Sequence, residues 1–134
     1  MRSFLVSGAA LLSAFASIAS EAGPLPVLER VARSGLAQPL FPVIGVDPTC
    51  KPMGKVPISL VETPQNGRVT IVDGMDFTNF GPDNPRFRCN TRKFPSQVLT
   101  YTSAPGYVGE DKFSVELIDS FGAPLRREFH IVVR

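Results

Sequence analysis

Tryptophan is absent from this chain of 134 residues, and histidine occurs once. That leaves little material for aromatic cages or for metal sites built on imidazole. The two cysteines do not form a Cys-x-x-Cys pair, so a dithiol redox centre is excluded. Neither Gly-x-Ser-x-Gly nor His-Glu-x-x-His occurs, so the common hydrolase and metalloprotease motifs are missing. No enzymatic activity and no cofactor is expected. Charge of one sign is also scarce. Fourteen basic and 12 acidic residues give a net charge of +2, too small to argue for a nucleic-acid partner. The length suits one small domain.

Proline is plentiful but unevenly placed. All 13 lie beyond residue 22. The proline-free beginning has its own layout: Met1-Arg2 is basic, Phe4 to Ala19 is apolar, and Ala16, Ser17, Ala19, Ser20 and Ala22 are small. This is the layout of a secretory signal peptide over residues 1–22, with cleavage after Ala19 or after Ala22. The apolar run is shorter than the roughly 20 residues that span a bilayer as a helix. A secreted or periplasmic chain with no stable membrane anchor is expected.

Export changes the meaning of the cysteines. In an oxidising compartment Cys50 and Cys89 most economically pair with each other. Closing that loop is worth roughly 4 kcal/mol in the chain-entropy model. The sole histidine, His130, is far away in sequence and out of phase with Phe129 and Ile131, which places it on a solvent face beside Glu128.

Residues 23–49 read as an N-terminal arm. Leu25, Leu28, Val31 and Leu36 recur at roughly helical spacing, with Gly35 as a stop, so a short helix and a disordered arm are both open. Phe41 to Val46 is a short edge strand, demoted to the edge by Pro42. From residue 50 the pattern is period-two alternation. Val56–Leu60, Val69–Ile71, Leu99–Tyr101, Phe113–Leu117 and Phe129–Val133 each alternate with polar neighbours. Pro64-Gln65-Asn66-Gly67 marks a turn. Arg86 to Asn90 also alternates and reads as a short strand with Phe87 and Cys89 inward. The fold class is an all-β, antiparallel β-sandwich over residues 50–134 with one disulfide.

Tyr101, Pro105, Gly106, Tyr107, Gly109, Asp111, Phe113, Asp119 and Gly122 follow one another in a spacing that resembles bacterial immunoglobulin-like and cadherin-like repeat modules. Thr63-Pro64-Gln65-Asn66-Gly67-Arg68-Val69 looks like the Pro-x-His-Gly-x-Val hairpin of the same modules, with Asn66 where histidine is common. The resemblance covers about residues 56–134. It implies an immunoglobulin-like sandwich outside the cytoplasm, here as a single copy, free-standing and stapled by a disulfide. It also supplies calcium candidates, Glu110, Asp111 and Asp119. Calcium takes six to eight oxygens and no Asp-x-Asp loop supplies them, so turn formation is the preferred role for the two aspartates.

One segment concentrates cationic and aromatic groups. Phe77, Phe80, Arg86, Arg88, Arg92 and Lys93 lie in the irregular stretch 73–96. If Phe87 faces inward, Arg86 and Arg88 face outward together. Such a surface suits an extracellular or envelope protein or a glycan. The function expected is a non-enzymatic, monomeric binding or structural module of a bacterial envelope or secretome. The alternatives are an adhesion or inhibitor-like protein using residues 73–96, and a carbohydrate-targeting accessory domain.

Overall fold

A computed structural model describes residues 26–119 and 121–134. The expected leader, with both cleavage positions, lies outside the described residues. Seven strands follow one another: β1 (Val27–Ala32), β2 (Gln38–Val43), β3 (Ile58–Glu62), β4 (Gly67–Phe77), β5 (Lys93–Ser103), β6 (Gly109–Ile118) and β7 (Pro124–Val133). A short 3-10 helix, η1 (Phe87–Thr91), separates β4 from β5. The strands form two sheets, in the orders β1-β7-β6-β3 and β2-β5-β4. These are the two sheets of the immunoglobulin sandwich, with the first strand carried on the last.

The alternation at the C-terminal end builds the core. Phe113, Val115, Phe129, Ile131 and Val133 point inward from β6 and β7, and Leu99 and Tyr101 meet them from β5. The Tyr101 and Phe113 rings lie parallel with centroids 6.4 Å apart, and Phe113 stacks on Phe129 at 4.7 Å. Phe41 of β2 closes the column edge-on to Phe129 at 6.3 Å. Such aromatic pairs contribute roughly 0.5–1.5 kcal/mol each beyond the area they bury.

The arm expected over residues 23–49 is part of this sandwich from residue 27 onward. No helix forms among its described residues. Leu28 packs against the core and Ala32 is fully buried, while Glu29 and Val31 face away, which is period two rather than 3.6. Pairing with β7 decides the matter, because a tertiary partner outweighs a weak local periodicity. That pairing is parallel, from Val27↔Glu128 to Ala32↔Val133, so the expectation of purely antiparallel sheets fails at this one pair. β2 lies at a sheet edge as Pro42 requires, beginning at Gln38 rather than Phe41.

Two further expectations are corrected. The Pro64–Gly67 segment does not close a hairpin. β3 and β4 belong to different sheets, and neither Asn66 nor Gly67 has positive φ. The connection instead crosses the sandwich and is held from outside itself: the Gln65 and Asn66 N–H groups donate to Asp111 at 3.0 Å each. Gly67 matters for a different reason than turn formation. A Cβ there would sit 2.6 Å from the Thr102 carbonyl oxygen and 2.7 Å from the Tyr101 ring. The second correction concerns residues 86–90, which form η1 rather than a strand. Consecutive turn hydrogen bonds, Phe87 N–H to Asn84 at 2.9 Å and Cys89 N–H to Arg86 at 2.8 Å, wind this segment. Cys89 is buried as expected, but Phe87 is exposed.

Gly67→Ala is expected to lower stability by about 1–3 kcal/mol through this overlap. Gly81→Ala, where an added Cβ meets nothing within 4 Å, should be close to neutral. Denaturant unfolding of the two variants checks the contrast.

Candidate functional site

Residues 44–57 and 77–92 gather at one end of the sandwich. Cys50 and Cys89 are bonded, with Cα atoms 5.4 Å apart. Cys89 joins Val46 and Phe94 in a second small core, against which Ile44, Cys50 and Phe80 pack. Asn90 binds the 78–80 segment to η1. Its side-chain oxygen accepts from the Thr78 hydroxyl at 2.8 Å and the Phe80 N–H at 3.0 Å, and its amide donates to the Phe80 carbonyl at 2.9 Å. On the other side of the disulfide, Asp47 organises the turn that leads into Cys50. Its Oδ1 accepts from the Thr49 N–H, the Thr49 hydroxyl and the Lys51 N–H at 2.7–2.9 Å. The Thr49 hydroxyl bond, followed by the Lys51 amide, holds the Asp47 carboxyl below the usual carboxylate range. Cys50 itself has φ of 63°, a left-handed conformation that the turn imposes on a non-glycine residue.

The expected cationic surface is largely committed to this corner. Arg86 donates from Nε to the Val46 carbonyl at 2.8 Å. Arg88 donates to the Pro48 carbonyl from Nε at 3.2 Å and from Nη2 at 2.5 Å. Arg92 donates to the Cys50 carbonyl and also lies over the Phe94 ring at 4.8 Å. Three guanidinium groups therefore satisfy three alternate carbonyls of one irregular segment that no strand pairs. Arg86 and Arg88 do not stand together on a strand face. Lys93 lies over the Phe77 ring at 5.6 Å, and these two residues are cross-strand partners on β5 and β4. Phe80 is half-buried, whereas Phe77 is exposed.

Beside this corner the two sheets splay into an open groove of about 570 Å³. Ile44, Met53, Val56, Phe80 and Leu125 supply its apolar walls, and Phe121 stands at the rim with 88% of its surface exposed. Phe121 and Met53 carry no sequence motif. The signal available was a bulky apolar residue beside Gly122 in a turn, where a polar one would be ordinary.

The calcium candidates do not converge. Glu110 and Asp111 lie at the start of β6 and Asp119 lies just beyond its end. Asp111 is buried, and its oxygens accept from the Tyr101 hydroxyl at 2.7 Å, the Lys112 N–H at 2.9 Å and the two amides of the crossover. Four donors occupy the lone pairs a cation would need. Burial first, and then the bond to Asp111, raise the Tyr101 hydroxyl pKa strongly. Asp119 closes the β6–β7 turn, accepting from the Phe121 and Ala123 N–H groups at 2.9 and 2.8 Å.

The outer face of the four-stranded sheet holds a row of charges around a shallow cleft of about 410 Å³. His130 Nε2 lies 2.6 Å from Glu128 and its Nδ1 lies 3.2 Å from Glu29 on β1. Lys112, its cross-strand partner on β6, pairs with Glu62 at 3.5 Å. Only the imidazolium can donate to both glutamates. The Glu128 bond, with Glu29 assisting, accordingly raises the histidine pKa above its ordinary 6.5.

No family model matches the chain. No curated protein matches it either. Among solved structures, it is similar to the solution structure of Amebosin at 10% identity and a TM-score of 0.39, over 84% of this chain and 100% of that one.

Replacing Arg86 and Arg88 together by Ser leaves the Val46 and Pro48 carbonyls without these donors. Denaturant unfolding should show a loss of about 1–3 kcal/mol. The histidine gives a second expectation. A raised folded pKa contributes stability below the unfolded value and loses it as pH rises through the folded one. The melting temperature should therefore fall as pH rises from below 6.5 through the raised folded value, and His130→Gln should flatten that part of the profile.

Proposed function

We propose that this protein is a non-enzymatic, exported binding module of a bacterial envelope or secretome. In this reading it holds an apolar segment of an extracellular or envelope protein in the groove at the disulfide-stapled end. The observation that carries the proposal is the groove with its rim phenylalanine. A phenylalanine so exposed, over an open apolar cleft, is the arrangement of a protein-binding anchor rather than of a core. The corner behind it is rigid. A disulfide, three arginine–carbonyl ties and the Asn90 bridge fix one wall, which limits the ordering cost of binding. Export is supported by the leader pattern of residues 1–22 and by the disulfide, which persists outside reducing compartments.

A second reading uses the 73–96 segment as an adhesive or inhibitory surface. The exposed Phe77 and Phe87 favour it.

The two readings separate by substitution. Phe121→Ser with Met53→Ser should abolish capture of an envelope protein by the immobilised chain, while Phe77→Ser should leave it intact. Both variants should keep the wild-type melting temperature. Capture that survives the first variant and fails with the second would overturn the groove reading in favour of the other.

A further inference from the structure

Four strands lie at sheet edges, and three of them are blunted. β2 carries Pro39 and Pro42. β3 is five residues long with a register shift between Leu60 and Glu62. β1 is six residues long and sits on a parallel partner. β4 differs from all of these. It is 11 residues long, contains no proline and no lysine, and pairs with β5 without a shift from Gly67↔Ser103 to Phe77↔Lys93. β5 is its only strand partner among the described residues. Ile71, Val72, Met75 and Phe77 are each roughly half exposed along it. A long, regular, apolar edge is the feature that β proteins ordinarily suppress, because it templates pairing with another chain.

We propose that β4 pairs antiparallel with β4 of a second copy, joining two three-stranded sheets into one of six strands. The occupant follows from charge and symmetry. Val69 packs against the core, and alternation along β4 puts the odd-numbered side chains on its side of the sheet and the even-numbered ones on the other. A two-fold axis perpendicular to the sheet through Val72 sets every residue of the strand opposite one of its partner. It places Arg68 opposite Asp76 twice, on the even-numbered side of the strand. Neither charge has an ion-pair partner among the described residues; Asp76 accepts only the Ser96 hydroxyl, which leaves lone pairs free. The same axis sets Val69 opposite Met75, and Phe77 opposite Gly67. Neighbouring registers lose these pairings. An axis through Asp73 sets that carboxylate against its own copy, and an axis through Ile71 leaves Asp76 and Phe77 beyond the strand end. The strand is thus self-complementary in one register, as an isologous interface requires. The monomer expected from the sequence is replaced by a concentration-dependent dimer, independent of the groove at the disulfide end.

Sedimentation equilibrium on the purified chain tests this. Arg68→Asp and Asp76→Arg should each weaken the dimer by roughly tenfold, since each sets like charges opposite twice. The double exchange should restore it. Amide exchange on the wild-type chain needs no variant: residues 67–77 should exchange more slowly in concentrated than in dilute solution. A monomer at every concentration, with β4 exchange unchanged, overturns the proposal. So does a dimer that the two charge reversals leave unaffected, or a β4 edge protected only when another protein is added.

Discussion

The sandwich depends on one buried carboxylate. Asp111 lies on β6 among apolar residues, where an unpartnered charge would cost several kcal/mol. It is affordable only because four donors converge on it from three parts of the chain. The Tyr101 hydroxyl arrives from the opposite sheet, two amides from the crossover between β3 and β4, and one from Lys112. The carboxylate therefore joins both sheets and the crossover between β3 and β4. The aromatic column starts at the same tyrosine, so the polar tie and the apolar stack share a member. Gly67 has to be bare because the Tyr101 ring passes beneath it on the way to this contact.

Much of the C-terminal half was legible in the sequence, and the reason is physical. The apolar core residues Leu99 and Tyr101 of β5, Phe113, Val115 and Leu117 of β6, and Phe129, Ile131 and Val133 of β7 each lie on one side of their strand, which leaves a two-residue period in the sequence. The strand β1 was not legible. Its inward residues are Leu28, Arg30 and Ala32, of mixed character, and its identity comes from β7, at the far end of the sequence. Arg30 shows why the local pattern misleads: its aliphatic part lies inward while its Nε reaches the Leu40 carbonyl at 3.1 Å. Residues 86–90 misled in the opposite sense. They alternate, but the disulfide and the Asn90 bridge hold them in a tight helical turn, and no neighbouring strand is present to read the alternation.

The sequence marks residues 73–96 as a concentration of cationic and aromatic groups. Their arginines, however, serve backbone carbonyls instead of solvent. An irregular segment such as 46–50 has no sheet to satisfy its acceptors, and a guanidinium is a donor that reaches them from outside. The cost of a loop without secondary structure is thus met by side chains that looked free. Exposed apolar groups lie elsewhere, at the groove rim and along β4.

The parallel pairing of β1 with β7 has a consequence for assembly. Two strands nearly the whole described length apart must meet before the four-stranded sheet has its full width, and Phe129, Ile131 and Val133 belong to the later of them. A chain of this topology delivered residue by residue, from the ribosome or through a membrane pore, has no intermediate length at which its core is closed. The core closes only once β7 is free to pair with β1 and β6.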